Sequence, residues 1–221
     1  MYTANVVLEM FHEGGWVMYP IVATLFLALC VLIERVIWWI AFKKSVRPQG
    51  QIKAREALAT GKFSDAWDLS NKSSDPFVKN LGEGISHAHT SMLAAMQLDA
   101  THWIEKSEAR MWVLGTIITL APLLGLFGTV VGLMGSFSSL GDDQLAVAKV
   151  TGGISEALIA TAAGICIAIS CLLPYNYFRK RVSALRGEFE RWINHSELLV
   201  ASAKAHGHDL EEFSTKLHLS R

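Results

Sequence analysis

The sequence predicts an all-α membrane protein: three transmembrane helices with long cytoplasmic helical extensions. Three observations predict it. Half of the 221 residues are hydrophobic (51%), only 18% are charged, and the mean hydropathy is positive at +0.31. Three apolar runs are each long enough to cross a hydrocarbon core, which takes about 20 helical residues. The second and third runs carry small residues at helical spacing, the pattern of membrane helices that pack closely.

The segments follow in order. Residues 1–15 are free of Lys and Arg and read as an outer, periplasmic N-terminus. The first span is 16–42; its core, Trp16–Ile33, would cover about 27 Å at 1.5 Å per residue. Trp16 and Tyr19 stand at its start and Trp38 and Trp39 near its end, as interfacial aromatic belts do. This run is too long, and its flank too poor in basic residues, for a cleavable signal peptide, so none is expected. Glu34 and Arg35 interrupt the run near the second belt. The expectation is a neighbouring, interfacial ion pair whose side chains snorkel to the headgroups. The sharper alternative is a contact with a partner or with the bundle interior.

Residues 43–112 read as a cytoplasmic helical region that opens on the basic cluster Lys43, Lys44, Arg47, Lys53 and Arg55. IKAREALAT is a short helix ended by Gly61; Phe63–Leu69 is another, with Ser64-Asp65 as its cap; Asp75-Pro76 starts a third. From Ser91 the helical pattern runs with little interruption into the second span, 113–137. Pro122 lies inside that span and would kink it. A loop, 138–149, carries Asp142, Asp143 and one Lys, and the third span covers 150–178. The tail, 179–221, begins Arg179-Lys180-Arg181. It then repeats Val182, Leu185, Phe189, Trp192, Ser196, Leu199 and Ala203 at alternating spacings of 3 and 4, a heptad seam trusted to about Ala203 because Gly207 follows. Basic residues crowd 43–55 and 179–191 and are nearly absent from 138–149. The positive-inside rule therefore places the N-terminus and that loop outside and the C-terminus in the cytoplasm.

In the second span Gly125, Gly128, Gly132 and Gly135 are 3, 4 and 3 residues apart, which puts them on one narrow helix face. In the third, Ala157, Thr161, Gly164 and Ala168 form a matching stripe at 4, 3 and 4. Thr129 and Thr161 place hydroxyls beside these faces, and Glu156 sits near the start of the third span. A hydroxyl can accept and donate, so it can hold water or pass a proton, although a lone threonine in a membrane helix commonly bonds back to its own backbone. An intramembrane carboxylate usually faces a cavity. Glu156 and Thr161 lie about 140° apart around a helix, so either the polar face is wide or they serve different neighbours.

Several functions are excluded or disfavoured. Zero net charge argues against nucleic acid as a partner. There is no GxSxG, HExxH or phosphate-binding glycine loop, and no His or Asp within the spans, so the chain is not expected to be an enzyme. No cofactor is implied. His87, His89 and His102 lack ligand-spaced companions and read as a solvated face, so no metal is expected. Cys30, Cys166 and Cys171 all fall in apolar runs and read as small hydrophobes.

APLLGLFGTVVGLMGSF and GGISEALIATAAGICIAISCLLPYNYF, with LIER in the first span and AREALATGKFSDAWDLSNKSSDPFVKNLGEGI, resemble the MotA/TolQ/ExbB proton-channel family, most closely its ExbB/TolQ branch. The resemblance implies a bacterial inner-membrane subunit forming a homopentamer around an ExbD- or TolR-like single-span partner whose membrane helix carries an aspartate. A TonB- or TolA-like protein would be a further partner. It also implies that Thr129 and Thr161 line the pore and that Glu156 is the family's glutamate. Where relatives have proline-glycine before the third helix, this chain has Gly152-Gly153, so Thr151 is expected to act as the cap. The implied function is use of the proton motive force for work at the outer membrane, such as TonB-dependent import. The alternatives are a TolQ-like envelope-constriction, gliding or flagellar stator, with sodium as a possible ion, or a non-conducting scaffold.

Overall fold

In the computed structural model, residues 13–138 and 146–219 are described, and every regular element among them is a helix. We number these helices α1 (Met18–Ser45), α2 (Pro48–Ala59), α3 (Phe63–Lys72), α4 (Pro76–Ser86), α5 (Met92–Glu108), α6 (Met111–Ser138), α7 (Ala146–Ala205) and α8 (Leu210–Leu219). Three stretches are long and apolar enough to cross a membrane; they lie in α1, α6 and α7. The loop expected at 138–149 falls mostly on residues 139–145, and the N-terminal segment on residues 1–12, both outside the described residues.

Local chemistry sets the helix ends. Pro48 occupies the first turn of α2, where its missing N–H costs nothing. Gly61, at φ +70°, closes α2: its N–H reaches the Leu58 carbonyl while that of Lys62 reaches Ala57. Gly207, at φ +90°, closes α7 in the same way, with Gly207 on Lys204 and His208 on Ala203. The buried Asp75 carboxylate caps α4 by accepting from the Phe77 N–H at 2.8 Å. It also accepts from the Arg47 N–H at 2.5 Å and Gln51 Nε2 at 3.0 Å, tying the start of α2 to α4. Ser91 caps α5 by accepting from the Ala94 N–H.

Two expectations need correction. Lys62, not Ser64-Asp65, stands at the cap of α3, and Asp65 lies in the first turn, where it favours the positive end of the helix dipole. Thr151 is not a cap. The α7 helix already runs from Ala146, because nothing in that stretch breaks it once the proline is absent. The helical run from Ser91 toward the second span has, as expected, little interruption: two residues, Ala109-Arg110, where Arg110 takes φ +59°.

The chain forms two compact units. One comprises the described parts of Met1–Arg35 and Arg110–Phe178. Its core is narrow: Ile21, Ala28, Leu114, Ala121, Ala160, Ile167 and Cys171 are buried. Around it large apolar side chains stand exposed, among them Phe26, Leu123, Met134, Leu158, Ile169 and Leu173. Water would penalise that surface, whereas lipid or neighbouring subunits satisfy it.

The other unit comprises Val36–Ala109 and the described part of Arg179–Arg221. Here the tail seam is the spine. Val182, Leu185, Phe189, Trp192, Ser196 and Ala203 are all buried; Leu185, Phe189, Trp192 and Ala203 share one core with Leu58, Phe77, Leu81, Ile85 and Met96 from α2, α4 and α5. Phe77 stacks on Phe189 at 4.5 Å, and the Arg55 guanidinium lies over Trp192 at 4.7 Å. The seam stops at Gly207, leaving His206 exposed, and Leu210 on α8 is buried anew.

Candidate functional site

The α6 and α7 helices pack antiparallel, and glycine makes the contact. A Cβ on Gly125 would stand 2.9 Å from the Thr161 Cα; one on Gly128 would meet Ala160 Cβ at 2.7 Å; one on Gly132 would meet the Gly153 carbonyl oxygen at 2.9 Å. At Gly164 the Ala121 carbonyl oxygen occupies the place of a side chain. Contacts climb one helix as they descend the other, so the stripe is a continuous seam. Ala157 and Ala168 are buried. Gly135 differs from its three companions: a Cβ there would meet nothing within 4 Å.

The hydroxyls divide into two kinds. Thr24, Thr116, Thr119, Thr129, Ser136 and Ser170 each donate to a carbonyl of their own helix; Thr129 Oγ1 reaches the Leu126 oxygen at 2.6 Å. Thr161 Oγ1 instead crosses to α6 and donates to the Gly125 carbonyl at 2.8 Å. That bond depends on glycine at 125, because any side chain would push the helices apart. Sequence reasoning singled out Thr129 and Thr161 and passed over the other hydroxyls; nothing in residue type separates a back-bonded threonine from a crossing one.

Both threonines are half-buried, about one helical turn apart along the seam. Each spends its single proton on a carbonyl, so each presents lone pairs outward. An incoming acid O–H or a water would therefore be accepted by these oxygens. A threonine passes a proton onward only if its own bond to the carbonyl first breaks.

Glu156 is half-buried and lies against Gly15, where a Cβ would overlap its carboxylate. Gly15 is at φ +66°, so glycine is required there by backbone and by space. Because Gly15 immediately precedes the first span, Glu156 stands at that end of the bundle, while Thr161 turns to α6. The two serve different neighbours.

Glu34 and Arg35 do not both snorkel. Arg35 is 2% exposed and bonds the Glu34 carboxylate at 2.7 Å; Glu34 also pairs with Arg110 at the start of α6. The pair is turned into the fold, where Arg110, just ahead of α6, supplies a second cation. Arg110 was not singled out in the sequence, and nothing local marks it.

His87, His89 and His102 are all exposed, as a solvated face requires. His87 and His89 lie near His218, with ring centroids 6.0 and 4.6 Å from it, and His102 is not among them. Among the described residues no group of three His, Cys, Asp or Glu is placed to hold a metal ion. All three cysteines are free thiols, with Cys171 buried.

A family model described as the MotA/TolQ/ExbB proton channel family matches residues 70–191, a stretch holding α6, Glu156 and Thr161 but not Glu34. The chain is 40% identical over 103 residues to the Tol-Pal system protein TolQ of Haemophilus influenzae, covering 46% of this chain and 45% of that one. It is 34% identical over 174 residues to the putative biopolymer transport protein ExbB-like 3 of Synechocystis, covering 75% of this chain and 81% of the relative. The biopolymer transport protein ExbB of Neisseria gonorrhoeae is 40% identical over 81 residues, 36% of this chain and 37% of its own length. The matches thus span less than half the TolQ and neisserial ExbB relatives and about four fifths of the cyanobacterial one.

Proposed function

Because the chain belongs to the MotA/TolQ/ExbB proton channel family, we propose that it is the multi-span proton-conducting subunit of an ExbB/TolQ-type motor complex in the bacterial inner membrane. It acts as a channel component and not as an enzyme. Its N-terminus faces the periplasm and its C-terminus the cytoplasm, as the basic residues require.

The observation that carries this reading is the Thr161–Gly125 bond, a hydroxyl held across a glycine seam with its lone pairs free beside those of Thr129. Such oxygens accept a hydrogen bond but do not bind and release a charge. The titrating group must come from elsewhere. A single-span ExbD- or TolR-like partner with a membrane aspartate fits that need: protonated, it donates to a threonine oxygen; ionised, it leaves. Glu156 sits at the outer mouth, where it raises the local proton concentration. Several copies of the chain, a pentamer in the reading favoured here, surround the partner and cover the exposed apolar faces. The work is delivered to a TonB- or TolA-like protein and so to the outer membrane, as in TonB-dependent import.

The test is proton flux in vesicles carrying the chain with its partner, read by an internal pH dye under an imposed potential. Wild-type complex should conduct. Thr161→Val should cut flux and coupled work by about tenfold or more while the complex still assembles, since a crossing hydroxyl is lost in the pathway. Unchanged flux in Thr161→Val and in Glu156→Gln would overturn the site. No flux under any variant of the partner's aspartate would favour the scaffold reading, and flux that follows sodium in place of pH would reassign the ion.

A further inference from the structure

Two adjoining hollows flank the start of α5, both within the unit formed by Val36–Ala109 and the tail. The smaller, about 330 Å³, is floored by Met92, Leu93, Met96, Ile193, Val200 and Leu210, of which Met96, Ile193 and Leu210 are buried. The larger, about 650 Å³, runs past Ala94, Ala95 and Leu98, and Leu98 is exposed. Thr90 and Ser91 line both. The rims are acidic. Glu197, Asp209 and Glu211 border the smaller hollow and Glu83, Asp99 and Glu105 the larger, against one Lys or Arg among the described residues, Lys204. Lys204 is already held, with Nζ 2.8 Å from Glu211 Oε1. Asp209 caps α8 by accepting from the Glu211 N–H, and Asp99 accepts from Asn80 Nδ2. The Glu197 and Glu105 carboxylates are exposed and have no ion-pair partner among the described residues. Methionines in a hollow adapt to an incoming apolar side chain, and carboxylates around it select one flanked by cations.

We propose that this face docks a short basic segment carrying one large apolar side chain, and that the segment is the cytoplasmic flank of the single-span partner. The apolar side chain enters the smaller hollow against Met92, Met96 and Val200. Lys or Arg residues on either side of it meet Glu197 across one rim and Glu105 across the other. The partner's flank has the required chemistry, because the residues that bound a membrane span on its cytoplasmic side are rich in Lys and Arg. Six carboxylates against one engaged lysine repel an acidic peptide or a phosphate-bearing ligand and attract a basic segment. The identity of the occupant rests on the proposed function, which supplies the single-span partner. The chemistry of the face does not depend on proton conduction.

The test places a photo-activated benzophenone side chain at Thr90, which is exposed and lines both hollows, in the full chain co-expressed with its partner in membranes. With a different epitope tag on each protein, irradiation should give a product of one chain joined to one partner. Replacing Glu197 and Glu105 together by lysine should lower its yield by about fivefold or more, since two attractive contacts become repulsive. Both positions are exposed, so the thermal midpoint should stay where it was. Replacing the Lys and Arg residues of the partner's flank by glutamate should lower the yield equally, and combining the two reversals should restore it. An unchanged yield in the Glu197→Lys, Glu105→Lys chain overturns the docking site, and so does cross-linking confined to two copies of this chain. Absence of a cross-link in a complex that conducts protons would remove the docking site and leave the channel. A full, charge-dependent cross-link in a complex that conducts nothing would do the reverse.

Discussion

Thr161 matters because of where its proton goes. Its bond to the Gly125 carbonyl needs both the hydroxyl and the missing side chain opposite, so the two residues form one unit. Gly125→Leu should therefore mimic Thr161→Val in flux, although it leaves the hydroxyl in place. Thr161→Ser, which keeps the hydroxyl, should retain most of the wild-type flux, and parity of Ser with Val would refute the hydroxyl's part. Gly135→Ala separates packing from pattern: among the described residues nothing lies within 4 Å of a Cβ placed there, so assembly should be unaffected unless another chain fills that space. Loss of the oligomer on a sizing column in Gly135→Leu, with Gly135→Ala normal, would mark that glycine as a contact between chains. The spacing of the four glycines showed that they share a face. It did not show which of them meet α7, because that depends on where the partner helix ends.

At the scale of the element, helix ends account for most of what the sequence disclosed. Gly61, Asp75-Pro76, Ser91 and Gly207 were readable because a positive φ, a capping oxygen or a missing N–H acts within a few residues. Gly61→Ala should destabilise the unit that holds α2 by about 1 kcal/mol or more, since φ +70° costs any side chain and His208 occupies the space. Thermal unfolding of the purified complex would register it, and no shift in midpoint would contradict the close fit at that turn. The left-handed Arg110 and the inward turn of Glu34 were not readable. The two residues pair across 76 positions of sequence, and neither residue type announces it.

For the whole molecule, hydrophobic periodicity was sufficient to place three spans and the tail seam, because lipid and core both select on apolar surface. The seam is the stability spine of the unit formed by Val36–Ala109 and the tail. Truncating Trp192, which is 2% exposed, should cost about 3–5 kcal/mol. In cells that loss should lower the amount of folded protein while Thr161→Val leaves it unchanged, and immunoblots of membrane fractions would distinguish the two.

Along the tail seam, Val182, Leu185, Phe189, Trp192, Ser196 and Ala203 are buried on one helix, so the bearing of each is set by residue count alone. A single alanine inserted between Trp192 and Ser196 would turn Ser196 and Ala203 by about 100° away from their neighbours. The unfolding midpoint should fall; an unchanged midpoint would show that the seam tolerates a slip of phase.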